Sequence, residues 1–472
     1  MEQAAYERLK KFFSPAHVAV VGASTKNHWF ANMARYARQA GPDMRIYPVN
    51  PNAPEVCGIR AYPSIAHLPE GVIDFAVIMV KSTRVLESLK ELLRKGVKDV
   101  LLISSGYAEM GGSGVSDQEE LTRFCREHDI LLMGPNCLGY MNLSDKVSVF
   151  TGGSVEGELM AGSVALLGQS GASSEMIASK LLKKSLGISL YAATGNEAII
   201  TTEDCMEYLV HDSRTRVITA FMEGFRDIPR MKDIAKAAAR KQIPIILIKV
   251  GRSEKGLQAA RSHTGAMAGN DAAMEGFFRQ YGIVRVDTIE ELVETAAIFS
   301  RCRLPQGNGL GICTLSGGLC GLYADLCSRL NIELPRLSEK TVSRLNSVLP
   351  DFAQPDNPLD VTGSGFSQGM EQILKILLDD EKLDVIACLS FAPAGDDDVM
   401  PKLFNDTVFP LARMTDKPVI ALSFREINDY ARRYYHDQGV HYIEHPEDSF
   451  KAISHFMRYA QFQRKFENRP ES

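Results

Sequence analysis

The sequence predicts an α/β protein built from doubly wound parallel sheets, with helices on both faces of each sheet. Continuously apolar segments such as residues 18–21 and 243–250 are typical of strands that are buried on both sides. Amphipathic patterns of helical length separate these segments, and glycine-rich turns follow several of them. This alternation of strand and helix is the pattern of a mainly parallel sheet.

The length of the chain predicts more than one domain. At 472 residues the chain exceeds one ordinary hydrophobic core, and about 150 residues per domain gives three domains. The segments 151–162 and 304–308 have the composition of linkers. We therefore predict domains of residues 1–145, 146–303 and 304–472.

The composition excludes several classes of protein. Apolar residues make up 45% of the chain and charged residues 24%, which is typical of a globular enzyme. The formal net charge of −5 gives no overall attraction to nucleic acid. Apolar runs are too short for a membrane span, and residues 1–13 do not resemble a signal peptide. The nine cysteines include no Cys-x-x-Cys pair, so we expect a cytoplasmic protein with neither a disulfide framework nor a bound metal.

The first domain contains strand patterns that each run into a polar or glycine-rich turn. The strands are predicted at residues 18–22, 45–50, 74–80, 99–105 and 130–134. The carboxyl ends of parallel strands meet at one edge of the sheet, where open α/β sheets bind ligands. The candidate ligand-binding residues at this edge are Gly22, Ala23, Ser24, Asn50, Pro51, Ser105, Gly106 and Asn136.

The first of these turns differs from the fingerprint of dinucleotide-binding proteins. That fingerprint is G-x-G-x-x-G, and Ser24 and Asn27 stand in place of its later glycines. The second strand ends at Asn50-Pro51 and lacks the acidic residue that accepts the ribose hydroxyl of NAD. The sequence therefore favours a nucleotide ligand other than a nicotinamide cofactor.

The second domain contains two helix starts that could hold an anion. A strand at residues 163–168 runs into Gln169-Ser170-Gly171, and the strand at 243–250 precedes a helix predicted to begin near Thr264. Unpaired N–H groups and the helix dipole favour an anion at such positions, although a simple N-cap turn fits each local sequence equally well. His263 lies next to the second helix start, and Glu223 ends the strand at 217–224. A carboxylate at such a strand end is a candidate partner for an imidazole N–H, or else a solvated loop residue.

The third domain repeats the same alternation. Residues 309–318 read as a strand that runs into glycines and a helix. Further strand patterns follow at residues 357–363, 384–391 and 418–423, and residues 450–466 form an amphipathic helical pattern.

Several motifs occur in an order that resembles the ADP-forming acyl-CoA synthetases, relatives of the succinyl-CoA synthetase α chain. The motifs of the first domain are residues 10–15, 20–24, 50–52 and 134–139. Those of the second domain are residues 168–171, 195–197, 222–224 and 262–266. The resemblance spans nearly the whole chain and implies a Rossmann-like CoA-binding domain followed by two flavodoxin-like domains.

The resemblance also implies a role for each candidate residue. Coenzyme A would lie over the first sheet, in contact with the residues named above for its edge. Lys81 stands where relatives commonly carry proline. In the second domain, the resemblance makes His263 the phosphorylated histidine and Glu223 the acid that holds its ring. The phosphate cradle would consist of Gln169, Ser170, Gly171, Thr264 and Gly265.

The sequence contains no G-x-x-x-x-G-K-[ST] phosphate loop and no stretch that resembles an ATP-grasp module. ATP or ADP, with Mg, is therefore expected on a separate ATP-grasp β subunit in a hetero-oligomer. The predicted reaction joins CoA to a small carboxylic acid through an acyl phosphate and a phosphohistidine, and the sequence does not identify the acid. Two alternatives remain, a non-catalytic CoA-binding regulatory module and transfer of CoA between acids without nucleotide.

Overall fold

Three large sheets form the framework of the protein in a computed structural model that describes residues 1–26, 28–256, 258 and 271–468. The chain divides into two compact units, Met1–Asp287 and Thr288–Ser472. The first unit contains two of the large sheets and the second unit contains the third. The predicted fold class, α/β with doubly wound parallel sheets, is confirmed.

The first sheet is entirely parallel, with the strand order β2-β1-β5-β6-β7, and a two-stranded hairpin lies outside it. Its strands and the hairpin are β1 (His17–Val21), β2 (Arg45–Val49), β3 (Glu55–Val56), β4 (Ile59–Arg60), β5 (Phe75–Ile78), β6 (Asp99–Leu102) and β7 (Leu131–Met133). The helices of this part are α1 (Gln3–Phe12), α2 (His28–Ala40), α3 (Val85–Arg94) and α4 (Ser113–Glu127).

The second sheet has the order β14-β13-β12-β10-β11-β8-β9. Its strands are β8 (Gly139–Asn142), β9 (Val147–Ser148), β10 (Ala161–Gly168), β11 (Ile188–Ala193), β12 (Val217–Met222), β13 (Ile245–Lys249) and β14 (Val284–Arg285). The helices are α5 (Gly171–Lys183), α6 (Thr202–His211), α7 (Ile228–Arg240) and α8 (Asp271–Tyr281). Strands β8 and β9, which the sequence analysis did not predict, are antiparallel and extend the edge beside β11.

The third sheet is parallel, with the order β16-β15-β17-β18-β19. Its strands are β15 (Leu310–Thr314), β16 (Leu359–Asp360), β17 (Val385–Ser390), β18 (Val419–Ser423) and β19 (His441–Ile443). The helices of the second unit are α9 (Ile289–Arg301), α10 (Gly317–Leu330), α11 (Glu339–Asn346), α12 (Thr362–Leu378), α13 (Val399–Met414), α14 (Asp429–Asp437) and α15 (Pro446–Glu467).

The parallel strands of all three sheets follow one order. Numbered within each sheet, and with the hairpin and the antiparallel strands left aside, the order is 2-1-3-4-5, as in flavodoxin. The winding direction reverses between the first and third of these strands, and a crevice opens there at the carboxyl edge. The switch points lie between β1 and β5, β10 and β12, and β15 and β17.

An aromatic cluster joins the first two sheets into one unit. Phe12 and Phe13, at the end of α1, are fully buried. The Phe12 ring lies 5.0 Å from that of Phe75 in the first sheet. The Phe13 ring lies 5.1 Å from that of Tyr140 on β8 and 5.2 Å from that of Tyr208 on α6. The aromatic cluster therefore packs the first sheet against the second through a shared core.

Among the residues that the structure describes, no helix is both long enough and apolar enough to cross a membrane.

Replacing Phe13 with alanine should destabilise the first unit by about 3–5 kcal/mol, because the change leaves a cavity between the two sheets. Urea unfolding followed by circular dichroism would measure this loss. Phe352→Ala is the matched control, since that side chain is 72% exposed and its removal should change stability by less than about 0.5 kcal/mol. Equal effects of the two changes would contradict the role of the aromatic cluster.

Candidate active site

The candidate residues of the first domain lie where the sequence predicts them, at the carboxyl edge of the first sheet. Gly22 follows β1 and Asn50 follows β2, while Ser105 comes after β6 and Asn136 after β7. The switch point of this sheet lies between β1 and β5. The edge therefore has the location that a nucleotide ligand requires in this fold.

Gly22 allows the backbone to pass close to the end of β5. Its φ is +90°, and a Cβ atom there would lie 2.9 Å from Val80 Cγ1 and 3.1 Å from the carbonyl oxygen of Met79. A larger residue would therefore be strained and would also clash. The next residue, Ala23, is buried, and the Oγ of Ser24 accepts a hydrogen bond from the Lys26 N–H at 3.2 Å.

Two other residues predicted to contact the ligand, Asn50 and Gly106, form hydrogen bonds within the edge instead. Asn50 Nδ2 donates to the Ala23 carbonyl at 2.7 Å, and Asn50 Oδ1 accepts the Asn52 N–H at 2.8 Å. The N–H of Gly106 donates to Glu109 Oε1 at 2.6 Å. Pro51 and Ser105 are exposed at the same edge.

Gln169 organises the switch point of the second sheet. Its side chain is buried, and its Oε1 accepts the backbone N–H groups of Glu223 at 2.6 Å and Gly224 at 3.0 Å. Its Nε2 donates to Glu197 Oε1 at 3.1 Å and to the Gly224 carbonyl at 3.0 Å. Because every polar atom of this amide is engaged, Gln169 fixes the turn after β12 rather than offering a free group to a ligand.

The helix start beside Gln169 is more accessible. Ser170 is the N-cap residue of α5, and its side chain makes no capping hydrogen bond to the helix. The Ser170 hydroxyl lies 3.1 Å from that of Ser173, and both residues are partly exposed. Gly171 lies against Leu138, whose Cδ1 would be 2.8 Å from an added Cβ. This helix start can therefore present N–H groups to an anion.

Glu223 lies across the same switch point, directly after β12, and is 8% exposed. Lys249, the last residue of β13, is paired in register with Met222. Burial lowers the pKa of the Lys249 ammonium, the charge of Arg285 lowers it further, and the carboxylates of Asp271 and Glu223 oppose the shift. Lys249 was not expected from the sequence, because a lysine at a strand end resembles an ordinary solvated residue.

His263, Thr264 and Gly265 lie outside the residues that the structure describes, as does the predicted helix start near Thr264. Of the residues predicted for the phosphoryl-transfer site, the structure brings together Gln169, Ser170 and Glu223. They lie on the loops that follow the neighbouring strands β10 and β12.

The loop after β11 carries a buried carboxylate that the sequence analysis named only as part of a motif. Glu197 has a φ of +59° and is 6% exposed. Besides Gln169, its Oε1 accepts hydrogen bonds from the Thr194 hydroxyl at 3.0 Å and from the N–H and the hydroxyl of Thr202. Its Oε2 accepts one from Arg226 Nε at 3.2 Å. Neither the positive φ nor these partners can be read from the local sequence.

Asn196 connects this loop to the edge of the first sheet. Its Nδ2 donates to Glu109 Oε2 at 2.5 Å and to Gln118 Oε1 at 2.9 Å, and its Oδ1 accepts from Asn136 Nδ2 at 3.3 Å. The Asn196 N–H also donates to the Pro135 carbonyl at 2.9 Å. The predicted CoA-binding residue Asn136 therefore directs its amide at the second sheet.

Two family models together match most of the chain between residues 16 and 299. Residues 16–142 match a CoA binding domain, and residues 161–299 match a succinyl-CoA ligase like flavodoxin domain. The first sheet therefore belongs to a CoA-binding domain, and the second sheet belongs to a flavodoxin-like domain of the succinyl-CoA ligase type.

The most similar relatives include an acetate–CoA ligase [ADP-forming] II subunit alpha of Pyrococcus furiosus, which is 33% identical over 93% of this chain and 95% of its own length. The acetate–CoA ligase [ADP-forming] I of Archaeoglobus fulgidus is 31% identical over 97% of this chain. The chain spans 64% of that relative's length, and 54% of a trans-feruloyl-CoA synthase. The chain belongs to the family of ADP-forming acyl-CoA synthetases, which confirms the resemblance seen in its sequence.

Two solved structures are similar to this chain over nearly its whole length. The dinucleotide forming acetyl-coenzyme A synthetase 1 of Candidatus Korarchaeum cryptofilum, in complex with phosphate and ADP, has a TM-score of 0.84 at 28% identity. The match covers 97% of this chain and 98% of that one. PH0766 of Pyrococcus horikoshii has a TM-score of 0.80, with 96% of this chain covered.

Replacing Gly195 with alanine should disrupt the contact between the two sheet edges. The φ of Gly195 is +65°, and an added Cβ would lie 2.4 Å from the Pro135 carbonyl oxygen and 2.5 Å from that of Asn136. We expect a loss of at least about 2 kcal/mol in unfolding free energy, from the clash and the positive φ together. Gly58→Ala is the matched control, because its φ is +80° and nothing lies within 4 Å of the added atom. The two variants would unfold at the same urea concentration if the contact were unimportant.

The pH dependence of stability should reveal the role of Glu109. Burial alone would raise the pKa of Glu109, but hydrogen bonds from Asn196, Gly106 and Tyr107 outweigh it and lower the pKa below 4.5. A lowered pKa gives stability that is complete above about pH 4.5 and is lost as the pH falls through the folded-state value. The stability gap between wild type and Glu109→Gln should therefore be larger at pH 7 than at pH 4 in thermal unfolding. The exposed Glu127→Gln should show no gap at either pH, and a constant gap for Glu109→Gln would refute the assignment.

Proposed function

We propose that this chain is the α-type subunit of an ADP-forming acyl-CoA synthetase, which reversibly makes an acyl-CoA thioester through a phosphohistidine at His263. The observation that carries the proposal is the switch point of the second sheet. There the Gln169 amide binds the backbone of Glu223 and Gly224, beside the accessible start of α5. In the sequence, His263 lies between β13 and α8, outside the residues that the structure describes.

The proposed reaction has three group transfers. In the first, an imidazole nitrogen of His263 takes the terminal phosphoryl group of ATP, so that an N–P bond forms and the P–O bond to ADP breaks. In the second, a carboxylate oxygen of the acid attacks phosphorus, and the ring nitrogen leaves as the acyl phosphate forms. In the third, the CoA thiol attacks the acyl carbon and loses its proton as phosphate departs. A neutral imidazole is both a good nucleophile near pH 7 and a workable leaving group.

Groups of this chain would support these steps in two ways. Glu223 would accept the N–H of the second ring nitrogen and stabilise the positive charge that develops as the first nitrogen bonds phosphorus. The N–H groups at the start of α5, together with those near Thr264 and Gly265, would hold the phosphoryl oxygens. Ser170 and Gly171 belong to this cradle, and Gln169 holds it in place.

Coenzyme A would lie along the carboxyl edge of the first sheet, over Gly22, Ser24, Pro51 and Ser105. Gly22 is partly exposed at this edge, and its positive φ lets the chain turn there close to the end of β5. Ala23, Asn50, Gly106 and Asn136 would support the shape of this edge through the hydrogen bonds already described.

The nucleotide, with Mg, would bind to a separate ATP-grasp β subunit. Two relatives from Pyrococcus furiosus are named as subunit alpha, and this chain matches 95% and 99% of their lengths. The longer relatives match only over part of their length, as expected if they carry both functions in one chain. We place the assembly in the cytoplasm, with a small carboxylic acid as its substrate.

His263→Asn should abolish thioester formation, lowering kcat by at least about a thousandfold, because asparagine cannot accept the phosphoryl group. The co-purified α and β chains would be incubated with ATP labelled at the terminal phosphate. Wild type should acquire a label that is lost in acid and survives alkali, and the variant should acquire none. A variant that makes thioester at the wild-type rate would contradict the proposal.

Lys81 should contribute to CoA binding rather than to chemistry. Its exposed side chain follows β5, across the first switch point from Gly22, where it can attract a phosphate. Lys81→Ala should raise the KM for CoA about two- to tenfold, in line with the loss of one exposed charge contact, and leave kcat unchanged. Lys90→Ala, on the exposed face of α3, should change neither constant. An unchanged KM for Lys81→Ala would remove this residue from the CoA site.

A further inference from the structure

Among the described residues, the Glu197 carboxylate accepts hydrogen bonds from four side chains and one backbone N–H, and it forms an ion pair with Arg226. The donors are Gln169 Nε2, the Thr194 hydroxyl, the N–H and hydroxyl of Thr202, and Arg226 Nε. Its side chain is 1% exposed. An ionised carboxylate suits this set of donors, whereas an amide would place an N–H₂ group against at least one of them.

The carboxylate determines which way the Gln169 amide faces. Flipping that amide would place its oxygen against the Glu197 carboxylate and its N–H₂ group against the backbone N–H groups of Glu223 and Gly224. Both contacts would be repulsive, so the Glu197 carboxylate and the two backbone N–H groups together select the observed orientation. In that orientation, Gln169 Oε1 binds the two N–H groups at 2.6 and 3.0 Å.

The same loop contacts the CoA-binding domain through the residue before Glu197. Asn196 binds Glu109, Gln118 and Asn136 of that domain with its side chain. Arg226 donates to the Asn196 carbonyl through Nη2 at 3.0 Å and to Glu197 through Nε. Asn196 therefore contacts the edge of the first sheet, and the adjacent Glu197 contacts the edge of the second.

We propose that Glu197 is a positioning residue for phosphoryl transfer, which holds Gln169 so that Glu223 and the turn after β12 keep their places beside the CoA-binding domain. The inference rests on the proposed function. Glu197 contacts no reacting atom, so it acts through Gln169. Its loss should slow the transfer of the phosphoryl group and leave the affinity for CoA nearly unchanged.

The test follows the half-reaction that needs no nucleotide. The co-purified α and β chains are mixed with acetyl-CoA and ³²P-labelled phosphate, and acid-labile, alkali-stable label on the α chain is followed by rapid quench into alkali. In this direction phosphate oxygen attacks the acyl carbon as the C–S bond breaks and the thiol takes a proton. The phosphoryl group then passes to His263 as the acetate leaves. Acetyl-CoA is the probe because relatives are named for acetate.

Glu197→Gln should slow labelling at least about tenfold, with less than a threefold change in the KM for CoA. Glu203→Gln is the matched control. Glu203 is also buried, at 1% exposure, and its Oε1 accepts the backbone N–H groups of Arg226 and Asp227. It supports the neighbouring turn without contacting Gln169 in any hydrogen bond of the structure's described residues. Its labelling rate should stay within about threefold of wild type.

A pair of exchanged residues separates positioning from a general loss of stability. Gln169→Glu places two carboxylates about 3 Å apart, at the distance now spanned by the hydrogen bond of 3.1 Å, and it should label more slowly than wild type. Adding Glu197→Gln restores an amide–carboxylate pair in the opposite sense. The double variant should therefore label faster than Gln169→Glu alone.

The outcomes distinguish the two claims. No label on wild type, either from acetyl-CoA and phosphate or from ATP labelled at the terminal phosphate, would overturn the proposed function and this inference with it. Labelled wild type with an equally fast Glu197→Gln would overturn the inference alone. Equal slowing by Glu197→Gln and Glu203→Gln, or additive losses in the double variant, would show that Glu197 only stabilises the fold.

Discussion

The buried carboxylate of Glu197 is the group on which the geometry of the candidate active site depends. Transferring an ionised carboxylate out of water costs several kcal/mol unless hydrogen bonds replace the lost hydration. The donors around Glu197 come from four parts of the chain, at Gln169, Thr194, Thr202 and Arg226. Satisfying one carboxylate therefore requires the ends of β10, β11 and β12 and the start of α6 to meet at one place.

The repeated 2-1-3-4-5 sheet explains why two binding edges can cooperate. Each sheet opens a crevice at its own switch point, and the first unit contains two such crevices. The aromatic cluster around Phe13 joins the two sheets through their core, and the contact of Asn196 with Glu109 joins them at the carboxyl edge. One edge can then bind CoA while the other handles a phosphoryl group.

The sequence was sufficient to predict the framework, and it pointed to some residues of the candidate site. Apolar runs such as residues 245–249 predict buried strands because a parallel sheet requires them, and Glu223 and Gln169 were found because each follows such a strand. The antiparallel strands Gly139–Asn142 and Val147–Ser148 were missed because they are short and contain polar residues. The roles of Asn196 and Glu197 were missed because two partners that connect them to the rest of the site, Glu109 and Gln169, lie 87 and 28 positions away along the chain, so no local pattern reveals them. His263 was proposed from its sequence context and the family resemblance.

The most direct test of the chemistry is the fate of the oxygen atoms of the acid. The assembled α and β chains would convert acetate labelled with ¹⁸O in both carboxylate positions, together with CoA and ATP. If an acyl phosphate forms at the second sheet and CoA displaces its phosphate, one ¹⁸O atom should appear in the released phosphate at each turnover. Phosphate without ¹⁸O would contradict the account, because the carboxylate oxygen would then never have been bonded to phosphorus.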